Sequence, residues 1–185
     1  MIRASELISP AYLDEQRTLH TAPRGYGQRG YKWADHVRAL AVTHQCGSIL
    51  DYGCGAGSLA ERLRENPGEA IIRIAEYDPA IPGKSLLPAF ADMVVCTDVM
   101  EHVECDRIPA VIAHLGSLTR KVLFIVVSLV PTAKALSNGE QAHISLHESA
   151  WWRDAFGREF DVVEELTIKP EKQWVAVLRP RGAIA

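Results

Sequence analysis

Apolar and polar positions along this chain follow two periods, and the switches between them mark out its elements. Trp33, Val37, Leu40 and Ala41 recur at helical spacing, which predicts an amphipathic helix over 32–45 ended by Gly47. Ser48–Tyr52 is a short apolar strand running into a cluster of glycines. Ser58, a good N-cap type, then opens a helix that Asn66-Pro67-Gly68 stops. Ala70–Tyr77, Met93–Thr97 and Lys121–Ser128 read as further strands, the last apolar enough to be buried on both faces. Between the last two, Asp106 is the expected cap of a helix reaching about Leu118. Upstream, residues 5–20 are helical in their second half, with Pro10 near the start, and 21–31 form a glycine-rich loop. Downstream, 129–142 form a loop and Ser145-x-x-Glu148 matches a capping box before Trp151, Trp152 and Phe156. Strands at 160–166 and 173–178, joined by Lys169–Lys172, suit an antiparallel pair.

Strand–helix–strand alternation predicts an α/β fold: a Rossmann-like, doubly wound, mostly parallel sheet with a C-terminal antiparallel pair. The expectation is one domain over 1–185. It comprises an N-terminal helical cap (1–45), a cofactor-binding core (46–128) and a substrate-side loop, helix and strand pair (129–185). Ligands of such sheets bind at the carboxyl ends of the strands, where the first glycines lie.

Composition narrows the class. The chain has 185 residues, 48% hydrophobic and 23% charged, which excludes disorder and fibrous repeats. The longest apolar run, Val122–Val130, is far short of the ~18–20 residues that cross a bilayer, so no membrane partner is expected. The first ten residues show no apolar signal segment. Cys46, Cys54, Cys96 and Cys105 form no C-x-x-C pair and read as reduced thiols, so a cytoplasmic setting is expected. A net charge of −3 argues against a strong electrostatic grip on nucleic acid, which stays possible but disfavoured.

Asp51-x-Gly53-x-Gly55-x-Gly57 joins a strand to a helix, and its glycines let backbone N–H groups approach a ligand closely. Gly55-x-Gly57-x-x-Ala60, with Asp78 about twenty residues on, also fits a dinucleotide fingerprint. Asp51 separates the two readings. A carboxylate there would repel a pyrophosphate but suits a ligand with a cationic head and a ribose diol, such as S-adenosyl-L-methionine.

The chain resembles the class I S-adenosylmethionine-dependent methyltransferases. ILDYGCGAG (49–57) is similar to their first motif and AEYDPA (75–80) to their second. DMVVCTDVMEHVE (92–104) resembles their fourth, in a form common among relatives of quinone-pathway O-methyltransferases. The resemblance implies a cofactor held by Asp51, Tyr52, Gly53, Cys54, Gly55 and Gly57, by Asp78 and Pro79, and by Asp98. One departure stands out. Only fourteen steps separate Asp78 from Asp92, too few for two crossovers of ~10–12 residues, so the family's third strand is expected to be missing or vestigial. The usual acidic adenine contact goes with it, leaving Phe90 or Leu86 to cover the adenine.

Methyl transfer from a sulfonium is an in-line displacement, for which the protein aligns both reactants and, where needed, removes a proton. Residues after the fourth strand face the methyl in this architecture. Glu101 and His102 are the expected catalytic groups there, joined by His143 at the rim, with the loops at 21–32, including Arg24, and 129–143 closing the pocket. Asp98-x-x-Glu101-His102 with His143 is also similar to the metal set of some small-RNA 2′-O-methyltransferases. With Asp98 in place of their first Glu and little basic surface, no metal is expected. The His143-x-x-x-His147 spacing is set aside as well, since the helix is expected to begin at about 146. Residues 96–100 lack the Pro-Pro pair of DNA amino-methyltransferases, and no Pro-Cys nucleophile appears; Cys96 reads as packing. The expected reaction is methylation of an O or N on a small-molecule acceptor. The alternatives are a non-catalytic S-adenosylmethionine-binding protein, an RNA 2′-O-methyltransferase and a nicotinamide-dependent oxidoreductase.

Overall fold

A computed structural model describes residues 2–22, 26–66, 71 and 73–182. Among them six strands form one sheet: β1 (Ser48–Tyr52), β2 (Arg73–Tyr77), β3 (Ala91–Thr97), β4 (Thr119–Ser128), β5 (Phe160–Glu165) and β6 (Gln173–Pro180), in the order β2-β1-β3-β4-β6-β5. The first four are parallel; β6 runs antiparallel to β4 and to β5. This is the Rossmann-like arrangement expected. Residues 78–90 carry neither strand nor helix, so β2, with no third strand beyond it, ends the sheet.

Strand periodicity divides the core between two faces. Val122, Phe124 and Val126 of β4, with Met93 and Val95 of β3, face a layer built by α3 (Ala34–Thr43) and α4 (Ser58–Glu65). Leu123, Ile125 and Val127, with Val94 and Cys96, face the opposite layer. It is built by α1 (Ala4–Leu7), α5 (Ile108–Leu118) and α6 (Ser149–Phe156). Cys96 is thus a fully buried packing residue. The remaining helix, α2 (Pro10–Thr21), starts with Ser9 Oγ accepting from Tyr12 N and with Pro10 in its first turn.

Several local boundaries differ from the sequence expectations, each because another group satisfies the backbone. α3 closes after Thr43, and Gln45 (φ 51°), not Gly47, adopts the left-handed conformation beyond it. At α4 the cap position belongs to Gly57 (φ 88°), and Ser58 is the first helical residue. α5 begins at Ile108 behind Arg107, so Asp106 caps nothing. No capping box forms at Ser145: its hydroxyl donates to Val103 O (2.5 Å) and its amide to Glu101 O (3.0 Å), and α6 waits until Ser149. Both His143 and His147 therefore precede the helix. Pro67, Gly68, Ala70 and Ile72, placed above at a helix stop and in the second strand, lie outside the described residues, as does Arg24.

Because β1 has β2 on one side and β3 on the other, the chain reverses direction across the sheet between β1 and β3. A crevice opens outside the carboxyl ends of these two strands, the place where open α/β sheets bind ligands. It is a cavity of about 680 Å³.

Candidate active site

The first wall of the cavity is the turn after β1. Gly53 (φ 73°) and Gly55 (φ 52°) both need the left-handed region. A side chain at Gly55 would meet the backbone of Gly27 (Cβ to O 2.5 Å), and one at Gly53 would meet Val99. Asp51, Tyr52, Gly53, Cys54 and Gly55 all line the cavity. Gly57 does not: it forms the cap of α4, facing Glu76 and Lys84.

Asp51 is 4% exposed, and its Oδ2 has no hydrogen-bond partner. Burial, reinforced by Glu76, pushes its carboxyl up to about 7. An anion so placed lacks its counter-charge. Asp78, at the end of β2, accepts from Gly55 N through Oδ2 and from Ala80 N through Oδ1, each at 2.9 Å. One acceptor site per oxygen remains, enough for a vicinal diol. Pro79 follows on the same wall. Asp98, beyond β3, has φ 56° and is held by Lys32 Nζ at 2.8 Å. Leu86 and Phe90 stand away from the cavity: Leu86 is 86% exposed, and Phe90 lies under the Arg120 guanidinium.

The second wall is chemically distinct. The 3-10 turn Met100–His102 carries Glu101 into the interior, fully buried, its carboxyl near the backbone amides of Glu101 and Ser128 but without a well-formed hydrogen bond. Burial, with Asp98 nearby, holds this carboxyl well above the ordinary range. His102 Nδ1 lies 2.7 Å from Ala142 O, and His143 Nδ1 lies 2.7 Å from Val130 O. A carbonyl only accepts, so both rings carry their proton on Nδ1 and present a bare Nε2. Burial and the neighbouring His143 push His102 down to about 4, so it is neutral at physiological pH. Glu101, His102 and His143 offer donor atoms within 4.8 Å of one another. An orphaned carboxyl beside two imidazoles anchored through Nδ1 is a donor set that suits a divalent cation or a hydrogen-bond donor of a ligand.

The N-terminal segment supplies residues that the motifs did not reveal. Tyr12, Gln16 and His20 share one face of α2 and line the cavity. Tyr26 and Gly27 follow, with Ala56 N donating to Gly27 O (3.0 Å) and tying this segment to the glycine turn. Nε2 of His20 is 3.8 Å from Asp78 Oδ2, though burial pushes its pKa down. A polar residue at every fourth position of an otherwise ordinary helix was the available signal.

Set beside known proteins, a family model described as "methyltransferase domain" matches residues 26–165. No curated protein matches the sequence. Among solved structures, magnesium protoporphyrin IX methyltransferase from Synechocystis, with S-adenosylhomocysteine bound, superposes with a TM-score of 0.58 at 19% identity, covering 92% of this chain and 95% of that one. A 1,6-didemethyltoxoflavin-N1-methyltransferase from Burkholderia thailandensis gives 0.60 at 14%, covering 92% and 84%. A DhpI complex with S-adenosylhomocysteine gives 0.67 at 15%, covering 94% and 98%. With the glycine turn, Asp51 and Asp78 placed around one crevice and the family model spanning most of the chain, this protein belongs to the S-adenosylmethionine-dependent methyltransferase family, on the class I fold.

Proposed function

We propose that the protein transfers the methyl group of S-adenosylmethionine to an oxygen or nitrogen of a small-molecule acceptor. The observation that carries this reading is the buried, unpartnered carboxyl of Asp51 at the head of the glycine turn. S-adenosylmethionine, when bound, supplies an electrophilic methyl on a sulfonium together with an ammonium group and a ribose diol. Asp51 answers the cationic end, Asp78 the diol, and the turn at Gly53–Gly55 lets backbone approach the ligand. Opposite them, the bare Nε2 atoms of His102 and His143 would accept the X–H of the acceptor, orient its lone pair and take up the released proton. The size of the cavity, about 680 Å³, supports a small acceptor, as do neighbours whose names are those of porphyrin and toxoflavin-precursor methyltransferases.

Isothermal titration with S-adenosylmethionine, S-adenosylhomocysteine and NADH tests the assignment. Binding of the first two at ~micromolar levels, weakened at least tenfold in Asp78→Ala, is expected. Binding of NADH alone would replace the reading with oxidoreductase chemistry. Retained cofactor binding without turnover on any acceptor would favour a non-catalytic binding protein.

A second reading is favoured by the Glu101–His102–His143 cluster. It resembles the donor set through which some small-RNA 2′-O-methyltransferases hold a divalent metal. Titration with Mn²⁺ separates the two: tight binding lost in His143→Ala, with methylation of a short RNA, would support the second.

A further inference from the structure

The orientation of one buried amide can be traced atom by atom. Ala142 O takes the proton on His102 Nδ1, so the Tyr26 hydroxyl, 3.0 Å from that nitrogen, can only accept from it. The Tyr26 proton is thereby left to donate to Gln16 Oε1, at 3.2 Å. Gln16 therefore turns its NH₂ the other way. Gln16 is 7% exposed and lines the cavity; its Nε2 turns toward the buried Tyr12 hydroxyl oxygen one helical turn earlier, without a well-formed hydrogen bond, which leaves the Tyr12 proton and an amide proton to donate. A buried donor without a full acceptor is costly, on the order of 1–3 kcal/mol, and an accepting atom of a ligand in the cavity would recover that cost.

The same wall is aromatic. His20, Tyr26, His102 and His143 contact one another in series, edge to face, with ring centres 4.8, 5.4 and 4.7 Å apart. The series runs from beside Asp78 to the Glu101 cluster. Such a wall offers polarisable contact to a flat ring. Glu15 and Glu104, the latter paired with Arg107 at 3.2 Å, both act on the Tyr12 hydroxyl, which favours a neutral accepting atom over a carboxylate at that point.

Resting on the methyltransferase reading of this cavity, we infer that the acceptor is a planar aromatic or heteroaromatic compound. It presents a neutral hydrogen-bond-accepting atom, a carbonyl oxygen or ring nitrogen, to Gln16 and Tyr12. Its methylated hydroxyl or N–H faces His102 and His143. Specificity then lies on α2, outside every methyltransferase motif in the chain.

The test uses protein saturated with S-adenosylhomocysteine and three probes: 7-hydroxycoumarin, 2-naphthol (the same shape without the carbonyl) and 3-hydroxybutyrate. Calorimetry is expected to show 7-hydroxycoumarin binding about tenfold more tightly than 2-naphthol and no binding of 3-hydroxybutyrate. Gln16→Leu and Tyr12→Phe should each bring 7-hydroxycoumarin toward the naphthol value while S-adenosylhomocysteine affinity stays unchanged, which shows that the variants are folded. Equal affinity for the two bicyclic probes, preference for the hydroxy acid, or variants that bind 7-hydroxycoumarin like the parent protein would overturn the inference while leaving the methyltransferase reading intact. Failure of S-adenosylhomocysteine itself to bind removes both.

Discussion

The Tyr26 hydroxyl lies 3.0 Å from His102 Nδ1, although 76 residues of chain separate them. One comes from the segment after α2 and the other from the turn after β3, so their contact joins the N-terminal segment to the Glu101–His102–His143 wall of the cavity. Tyr26→Phe leaves the ring contacts in place and His102 still anchored to Ala142 O. It orphans Gln16 Oε1. The expected result is a stability loss of about 1 kcal/mol and a KM for acceptor that rises more than kcat falls. A collapse of kcat with unchanged KM, measured on any accepted substrate, would place Tyr26 in the chemical step instead.

With Asp51 at the cationic end of the proposed cofactor, affinity is expected to depend on pH. Its carboxyl faces Glu76 and Asp78, which oppose ionisation, and Lys84 and Arg64, which favour it; burial outweighs both and sets it at about 7. A cationic ligand binds the ionised form, so affinity should rise up to tenfold per pH unit toward pH 7 and level off above it. The free protein behaves in the opposite sense. Its folded-state value is above the ordinary 3.8, so Asp51 costs stability progressively as pH climbs from about 4 to about 7. Asp51→Asn should flatten both curves, raising the melting temperature of the free protein at pH 8 while weakening the cofactor. Calorimetry and thermal melts across pH 5–8 measure both.

Gly55→Ala should damage the site more than Gly57→Ala. A Cβ at Gly55 meets the Gly27 backbone, which has nowhere to go without releasing Gly27 O from Ala56 N. At Gly57 the obstacles are the ends of Glu76 and Lys84, which can swing aside. Both carry the left-handed strain of about 1–2 kcal/mol. Gly55→Ala is therefore expected to lose most cofactor affinity, and Gly57→Ala to lose mainly stability, as calorimetry beside urea unfolding would show.

The two adjacent tryptophans of α6 differ in environment. Trp152 is 0% exposed, packed against Phe156, whereas Trp151 is 41% exposed and stacks on His147. Trp152→Ala should cost about 3–5 kcal/mol in chemical unfolding, and Trp151→Ala under about 1.

Local chemistry was enough to mark the elements and the cofactor end of the site. Short continuous apolar runs located β1, β3 and β4, because a strand buried on both faces must write its environment into its own residues. The Asp51–Gly57 turn was legible because positive φ and close backbone approach leave glycine as the ready choice. The loss of the third strand followed from chain length between Asp78 and Asp92, since a crossover has a minimum span. Caps were less legible. Ser58, Asp106 and Ser145 each had the right side chain, yet Gly57, Arg107 and Val103 O claimed the backbone or the hydroxyl first. The acceptor end depended on the fold. Gln16, Tyr26, His102 and Ala142 belong to three separate stretches of chain, and no spacing between them carries a signal. Folding brings them together, and only then does the Ala142 carbonyl select the His102 tautomer and, through Tyr26, turn the Gln16 amide into the cavity.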